Sequence, residues 1–186
     1  IKYRTGEVAK ELTHQAIETL GGNGYIEEYV TPRLLRDAQV LTVWEGTANI
    51  LALDLWRVIQ KFRADEVFLQ VMQREVEALT HPLSQAFKSG LKQSLQEIRE
   101  NIAFLKAQPE DILTYHLKPL ADQMIDVYQL VCILKEAEEQ AKTDGNARKF
   151  IVAELYRKAH FDPAAKYRIR NTQLPDLVYF EALVDY

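Results

Sequence analysis

Between Glu18 and Asp54 the chain reads ETLGGNGYIEEYVTPRLLRDAQVLTVWEGTANILALD, and the residues best suited to chemistry stand in this stretch. Glu45 follows Val43 and Trp44 and precedes Gly46. A carboxylate in so apolar a setting loses solvation, which raises its basicity and suits it to accept a proton. The same residue also reads as an ordinary acid of a helix's first turn, favoured there by the dipole. Gly21-Gly22-Asn23-Gly24-Tyr25 is a glycine-rich turn, and such turns often end helices for structural reasons alone. Thr47 and Asn49 carry side chains that either touch a ligand or cap a helix. The remaining candidates are bland. His14, His81, His116 and His160 are far apart, with no cysteine or acidic partner at ligand spacing, so no metal is expected. Neither a nucleophile elbow nor a phosphate-loop motif occurs. Cys132, the single cysteine, sits among Val131, Ile133 and Leu134 and reads as a small buried core residue, which fits a reducing, cytoplasmic compartment.

Taken together, the glycine run at residues 21–25, the Arg36-Asp37 pair and Trp44-Glu45-Gly46-Thr47 resemble the C-terminal signature of the acyl-CoA dehydrogenases in content, order and separation. The resemblance implies FAD as cofactor. It places the double-glycine turn of Gly21, Gly22 and Gly24 against the ADP part of FAD, commonly that of a neighbouring subunit, where glycine lets main-chain amides approach a pyrophosphate. It makes Glu45 the catalytic base, which takes the α-proton of an acyl-CoA thioester while the β-hydrogen leaves as hydride to the flavin. Thr47 and Asn49 match flavin-contacting positions. The family further implies a homo-oligomer and an electron-transfer partner. Glu18 replaces the usual glutamine, and a carboxylate there is a poorer neighbour for FAD phosphates. Trp44 replaces the usual tyrosine. The wording WEGTANILALD is similar to the branch with long C-terminal extensions that includes the adaptive-response alkylation flavoprotein. The resemblance covers residues 1–62, the end of the family's C-terminal helical domain; residues 63–186 read as a C-terminal helical extension.

The elements that must position these residues are all-α: an antiparallel helical bundle of the acyl-CoA dehydrogenase C-terminal type with extra C-terminal helices. Residues 1–20 read as a helix stopped by Gly21-Gly22. Thr31-Pro32 reads as cap and first turn of a short helix through Asp37. The next helix begins near Gly46 or Thr47, with Leu51, Leu55, Val58 and Phe62 on its buried face. Residues 64–79 form another, ended by Thr80-His81-Pro82. Leu91, Leu95, Ile98, Ile102 and Leu105 make one bundle stripe, and Leu113, Leu117, Leu120, Met124, Val127, Val131 and Leu134 the next. The short Gln108-Pro109-Glu110 link makes these two helices antiparallel, and Pro119 predicts a kink in the second. After a break at residues 143–146, Ala147–His160 is a last sizeable helix with Phe150, Ile151 and Leu155 inward. Residues 161–186, with Pro163, Pro175 and scattered aromatics, read as a segment draped over the bundle.

Composition excludes several classes. The formal charge of -4 is not gathered into blocks, which disfavours nucleic acid and anionic membrane as partners. The longest apolar runs, such as Leu130–Leu134, fall far short of the roughly 20 residues a spanning helix needs. Lys166, Arg168 and Arg170 form a small basic cluster that reads as a solvated face. The opening Ile1-Lys2-Tyr3-Arg4 runs straight into helical sequence without an initiator methionine, which reads as a chain cut from something longer and inactive by itself. Two other readings stand beside the dehydrogenase. One is a DNA-associated flavoprotein of the alkylation-response branch, with a basic face of Arg157, Lys158, Lys166, Arg168 and Arg170. The other is a purely structural oligomerisation bundle.

Overall fold

In a computed structural model that describes residues 1–162 and 179–184, the described residues form nine helices and no strand. They are α1 (Lys2–Leu20), α2 (Gly22–Tyr25), α3 (Thr31–Val40), α4 (Ala48–Phe62), α5 (Ala64–Ala78), α6 (Pro82–Lys106), α7 (Glu110–Asp144), α8 (Arg148–Phe161) and α9 (Phe180–Val184). The all-α expectation therefore holds. The cluster Lys166, Arg168 and Arg170, and most of the segment read as draped, lie outside the described residues. The helices group into two compact units: Ile1–Ala64 with Asn101–Ile125, and Asp65–Glu100 with the described part of Asp126–Tyr186.

In the first unit α1 packs on α2 and α3 through glycine. Gly6 lies so close to Leu41 that a Cβ on it would stand 3.0 Å from the Leu41 carbonyl oxygen, and Gly24 approaches Ile17 more closely still. The start of α1 is tied to the first half of α7: Arg4 pairs with Asp122 at 3.3 Å, and the Lys118 ammonium lies 5.3 Å from the centre of the buried Tyr3 ring. α3 begins one position earlier than a Thr31 cap requires. Val30 is the N-cap, Thr31 and Pro32 lie inside the first turn, and the buried Thr31 hydroxyl has no hydrogen-bond partner. The helix also runs on past Asp37 to Val40.

The buried face of α4 differs from the one its leucines suggest. Ala52, Trp56 and Ile59 are buried, whereas Leu51, Leu55 and Val58 are half-buried and Phe62 is 63% exposed. Both sets have helical spacing and differ by one position, about 100° around the axis. The indole, with the largest apolar area to bury, selects the second set.

In the second unit the stripes pack as their spacing predicts, with Leu91, Leu95 and Ile98 of α6 and Val127, Val131 and Leu134 of α7 buried. Each such side chain contributes on the order of 1.5–3 kcal/mol relative to exposure. The second unit's α8 supplies Phe150, whose ring stacks on His81 at 4.7 Å, while Ile151 and Leu155 are half-buried. Cys132 is half-buried on the flank of α7, not in the core. The reason is its register between the buried Val131 and Leu134, where the side chain faces sideways along the helix and lies beside the Tyr128 phenol, whose hydrogen bond to the cysteine raises its pKa. α7 continues without interruption through Pro119. Pro119 is exposed, and the Tyr115 residue whose carbonyl it leaves unbonded is 78% exposed, so water can serve that carbonyl.

Candidate functional site around Glu45

α3 unwinds through turns in which the Val43 and Trp44 amides both donate to the Val40 carbonyl at 3.0 Å. The chain then enters two consecutive positive-φ residues, Glu45 at 60° and Gly46 at 106°. Thr47 is extended and serves as the N-cap of α4, its carbonyl accepting the Leu51 amide at 3.0 Å. Glu45 thus precedes the first turn of α4, and no acidic residue stands in that turn. The reading of Glu45 as a first-turn acid is excluded by this geometry.

Holding a non-glycine residue left-handed costs about 1–2 kcal/mol, and such strain persists where the surroundings enforce it. Gly46 is one enforcing element. Besides its positive φ, a Cβ on it would stand 2.8 Å from Ile50 Cγ2. Lys2 is another, since its ammonium donates to the Trp44 carbonyl. Nothing in the sequence pointed to Lys2, because 42 residues separate it from Trp44 and neither residue type announces the pairing.

The Glu45 side chain is exposed, and Val43 and Trp44 are 58% and 65% exposed. The apolar surrounding that the sequence predicts is therefore not assembled among the described residues, where the neighbours of Glu45 along the chain are turned to solvent. Thr47 and Asn49 are also exposed, and Thr47 makes no side-chain capping bond. Both present polar groups outward beside the start of α4.

The three glycines of the other block separate into two kinds. Gly24 is buried, and a Cβ on it would meet the Ile17 backbone, so close helix packing alone requires glycine there. Gly21 (φ 60°) and Gly22 are exposed, with nothing within 4 Å of a Cβ on either. The positive φ accounts for glycine at 21; nothing among the described residues accounts for it at 22. Glu18 is engaged locally, with its carboxylate 3.5 Å from His14 and its carbonyl accepting the Gly21 amide. Arg36 pairs with Glu27, through two bonds of 2.8 and 3.0 Å, and not with the adjacent Asp37, which faces Arg33. The Arg36 hydrogen bonds hold the Glu27 carboxyl below its ordinary pKa despite some desolvation.

These residues form two clusters. Glu45, Gly46 and Thr47, with Asn49 in the first turn of α4, lie beside the start of α1, to which Lys2 holds the Trp44 carbonyl, whereas Gly21, Gly22 and Gly24 lie at its far end. The 19 residues of α1 span about 28 Å. Glu45 and the glycine turn of one chain therefore do not face the same few atoms of one ligand. Among the described residues no group of three or more His, Cys, Asp or Glu could hold a metal ion, and no helix is long and apolar enough to cross a membrane.

Residues 1–60 match the family model of the acyl-CoA dehydrogenase C-terminal domain. An acyl-CoA dehydrogenase family member 11 from Caenorhabditis elegans is 43% identical over 79 residues, covering 42% of this chain and 12% of the relative. The putative acyl-CoA dehydrogenase AidB of Escherichia coli is 32% identical over 120 residues, covering 61% of this chain and 22% of the relative. The pig mitochondrial short-chain specific acyl-CoA dehydrogenase is 45% identical over 49 residues, covering 26% of this chain and 12% of the relative. No solved structure matches the chain.

The first third of the chain is thus a helical domain of the acyl-CoA dehydrogenase C-terminal type. The bacterial relative lies in the alkylation-response branch to which the WEGTANILALD wording pointed. Its match covers 61% of the chain, more than residues 1–62 can supply, so the similarity extends into the helices beyond residue 62. The chain spans between about an eighth and a fifth of the length of these relatives.

Proposed function

We propose that this chain serves as the C-terminal part of a flavin-dependent acyl-CoA dehydrogenase, in which Glu45 takes the α-proton of an acyl-CoA thioester. FAD, when bound, accepts the β-hydrogen as hydride. The observation that supports this reading best is the strained Glu45 itself, a carboxylate held at φ 60° between the Lys2-bound Trp44 carbonyl and the obligatory Gly46. Strain of that kind aims a side chain at a cost to stability. The apolar walls that desolvate Glu45 come, in this reading, from other parts of the whole protein, and this chain by itself is inactive.

The residues present fit FAD in part. Thr47 and Asn49 offer exposed polar groups next to Glu45 and face the flavin. Gly21 and Gly22 leave open space over the main chain at the other end of α1 and face the ADP portion, with Gly24 behind them as a packing residue. The separation along α1 supports a reading in which those two contacts go to different FAD molecules, one of them held by a second subunit. A homo-oligomer, an acyl-CoA substrate and an electron-transfer partner complete the proposal. Residues 63–186 act as its C-terminal extension.

The test uses the flavoprotein that carries this chain. FAD should co-purify with it, and one of a panel of acyl-CoAs should bleach the flavin only while Glu45 is intact; bleaching that survives Glu45→Gln removes Glu45 as base. A second reading, the DNA-associated flavoprotein, is favoured by the length of the match to the bacterial relative. Against it, Arg157 and Lys158 of the basic face both turn to Glu154, at 2.8 and 3.4 Å. Flavin that no thioester reduces, together with salt-dependent DNA binding, shifts the assignment to this reading.

A further inference from the structure

We infer that Lys2 is a positioning residue for Glu45, a role that rests on the reading of Glu45 as the base. The Trp44 carbonyl and the Glu45 amide belong to one peptide plane, so whatever fixes that carbonyl also fixes the φ of Glu45. A flip of this peptide changes ψ of Trp44 and φ of Glu45 together and carries Glu45 out of the positive-φ region into the broader extended one. The bond from the Lys2 ammonium to the Trp44 oxygen opposes that flip. The opposing group stands on a fixed platform. Lys2 is half-buried in the first turn of α1, the next residue, Tyr3, is buried under Lys118, and Arg4 is paired with Asp122. Asp122 and Lys118 belong to α7, so a helix beyond the first 60 residues braces the turn that carries the carboxylate.

Lysine is also chemically apt for this task. An ammonium on a four-carbon stem reaches a carbonyl across a gap and accepts no hydrogen bond, so it selects the peptide orientation with oxygen facing α1. Arginine keeps that donor. Methionine keeps the stem and the helix propensity but removes the charge and the donor.

Two measurements test this on Lys2→Met and Lys2→Arg. In the 186-residue chain, the HN–Hα coupling and backbone chemical shifts of Glu45 should report positive φ in wild type and Lys2→Arg, and its loss in Lys2→Met. In the flavoprotein, Lys2→Met should slow flavin bleaching by acyl-CoA at least about tenfold with little change in KM, since small displacements of a catalytic group are costly. The limb of the pH profile set by the base should shift as well, and Lys2→Arg should restore most of the rate.

Wild-type bleaching by Lys2→Met, with none by Glu45→Gln, overturns the positioning role and leaves the base standing. Equal loss in both Lys2 variants, with a matching fall in Tm, marks a structural residue and also overturns it. Normal bleaching by Glu45→Gln removes the base; the φ of Glu45 in Lys2→Met then decides the Lys2 inference alone.

Discussion

Gly24 and Ile17 approach so closely that a Cβ on Gly24 would stand 2.5 Å from the Ile17 carbonyl oxygen and 2.9 Å from its Cα. Backbone on backbone leaves no flexible side chain to give way. Gly24→Ala should therefore cost about 1–3 kcal/mol, the usual range for overpacking, or displace α2 outright. Gly22→Ala meets open space and should leave the melting temperature of the chain nearly unchanged. The discriminating measurement is FAD retention in the flavoprotein, which Gly22→Ala should weaken if that amide faces the cofactor.

Glu45→Gly removes a left-handed non-glycine residue, and the relief of strain exceeds the added entropy of the unfolded chain. A gain of up to about 1 kcal/mol is expected in denaturant unfolding of the chain, together with loss of flavin bleaching in the flavoprotein. A clear loss of stability instead would mean that the Glu45 carboxylate contributes to the fold, against the exposed position seen here.

The acid limb of stability should carry the mark of Glu138. This buried α7 carboxylate accepts the Thr80 and His81 amides at 2.8 Å each, closing the start of α6. Burial pushes its pKa up, but the hydrogen bonds that the carboxylate accepts more than offset that, and the net position is below the ordinary 4.5. A group depressed on folding stabilises the fold fully above its unfolded value and loses that contribution as pH falls through its folded value. Glu138→Gln should cost on the order of 1.5–3 kcal/mol at neutral pH and flatten the pH dependence below about pH 4.5. Glu27→Gln, which breaks an ion pair exposed on both sides, should leave that limb intact.

Pro119 occupies an exposed interior position of α7, where it denies the helix one hydrogen bond. Pro119→Ala restores that bond and should raise stability by roughly 1–3 kcal/mol, read as a higher Tm. A drop in Tm would show that the ring's packing beside Phe104 and Leu120, which line a pocket with it, outweighs the lost bond.

The sequence by itself determined the helical class, the bundle stripes and the family signature. Ile98 and Leu134 are buried because their spacing keeps them on one face of helices long enough to repeat it, and residues 21–25 and 44–47 are contiguous strings whose order survives without any fold. Spacing could not choose between two equally regular faces of α4, where Trp56 rather than Leu55 went inward. Nor could it see that Gly24 is glycine for Ile17, that Arg36 turns to Glu27, or that Lys2 holds the carbonyl before Glu45. Those contacts join residues 7 to 42 positions apart. They exist only once helices are packed, because a local pattern records which residues share a face but not which face meets which neighbour.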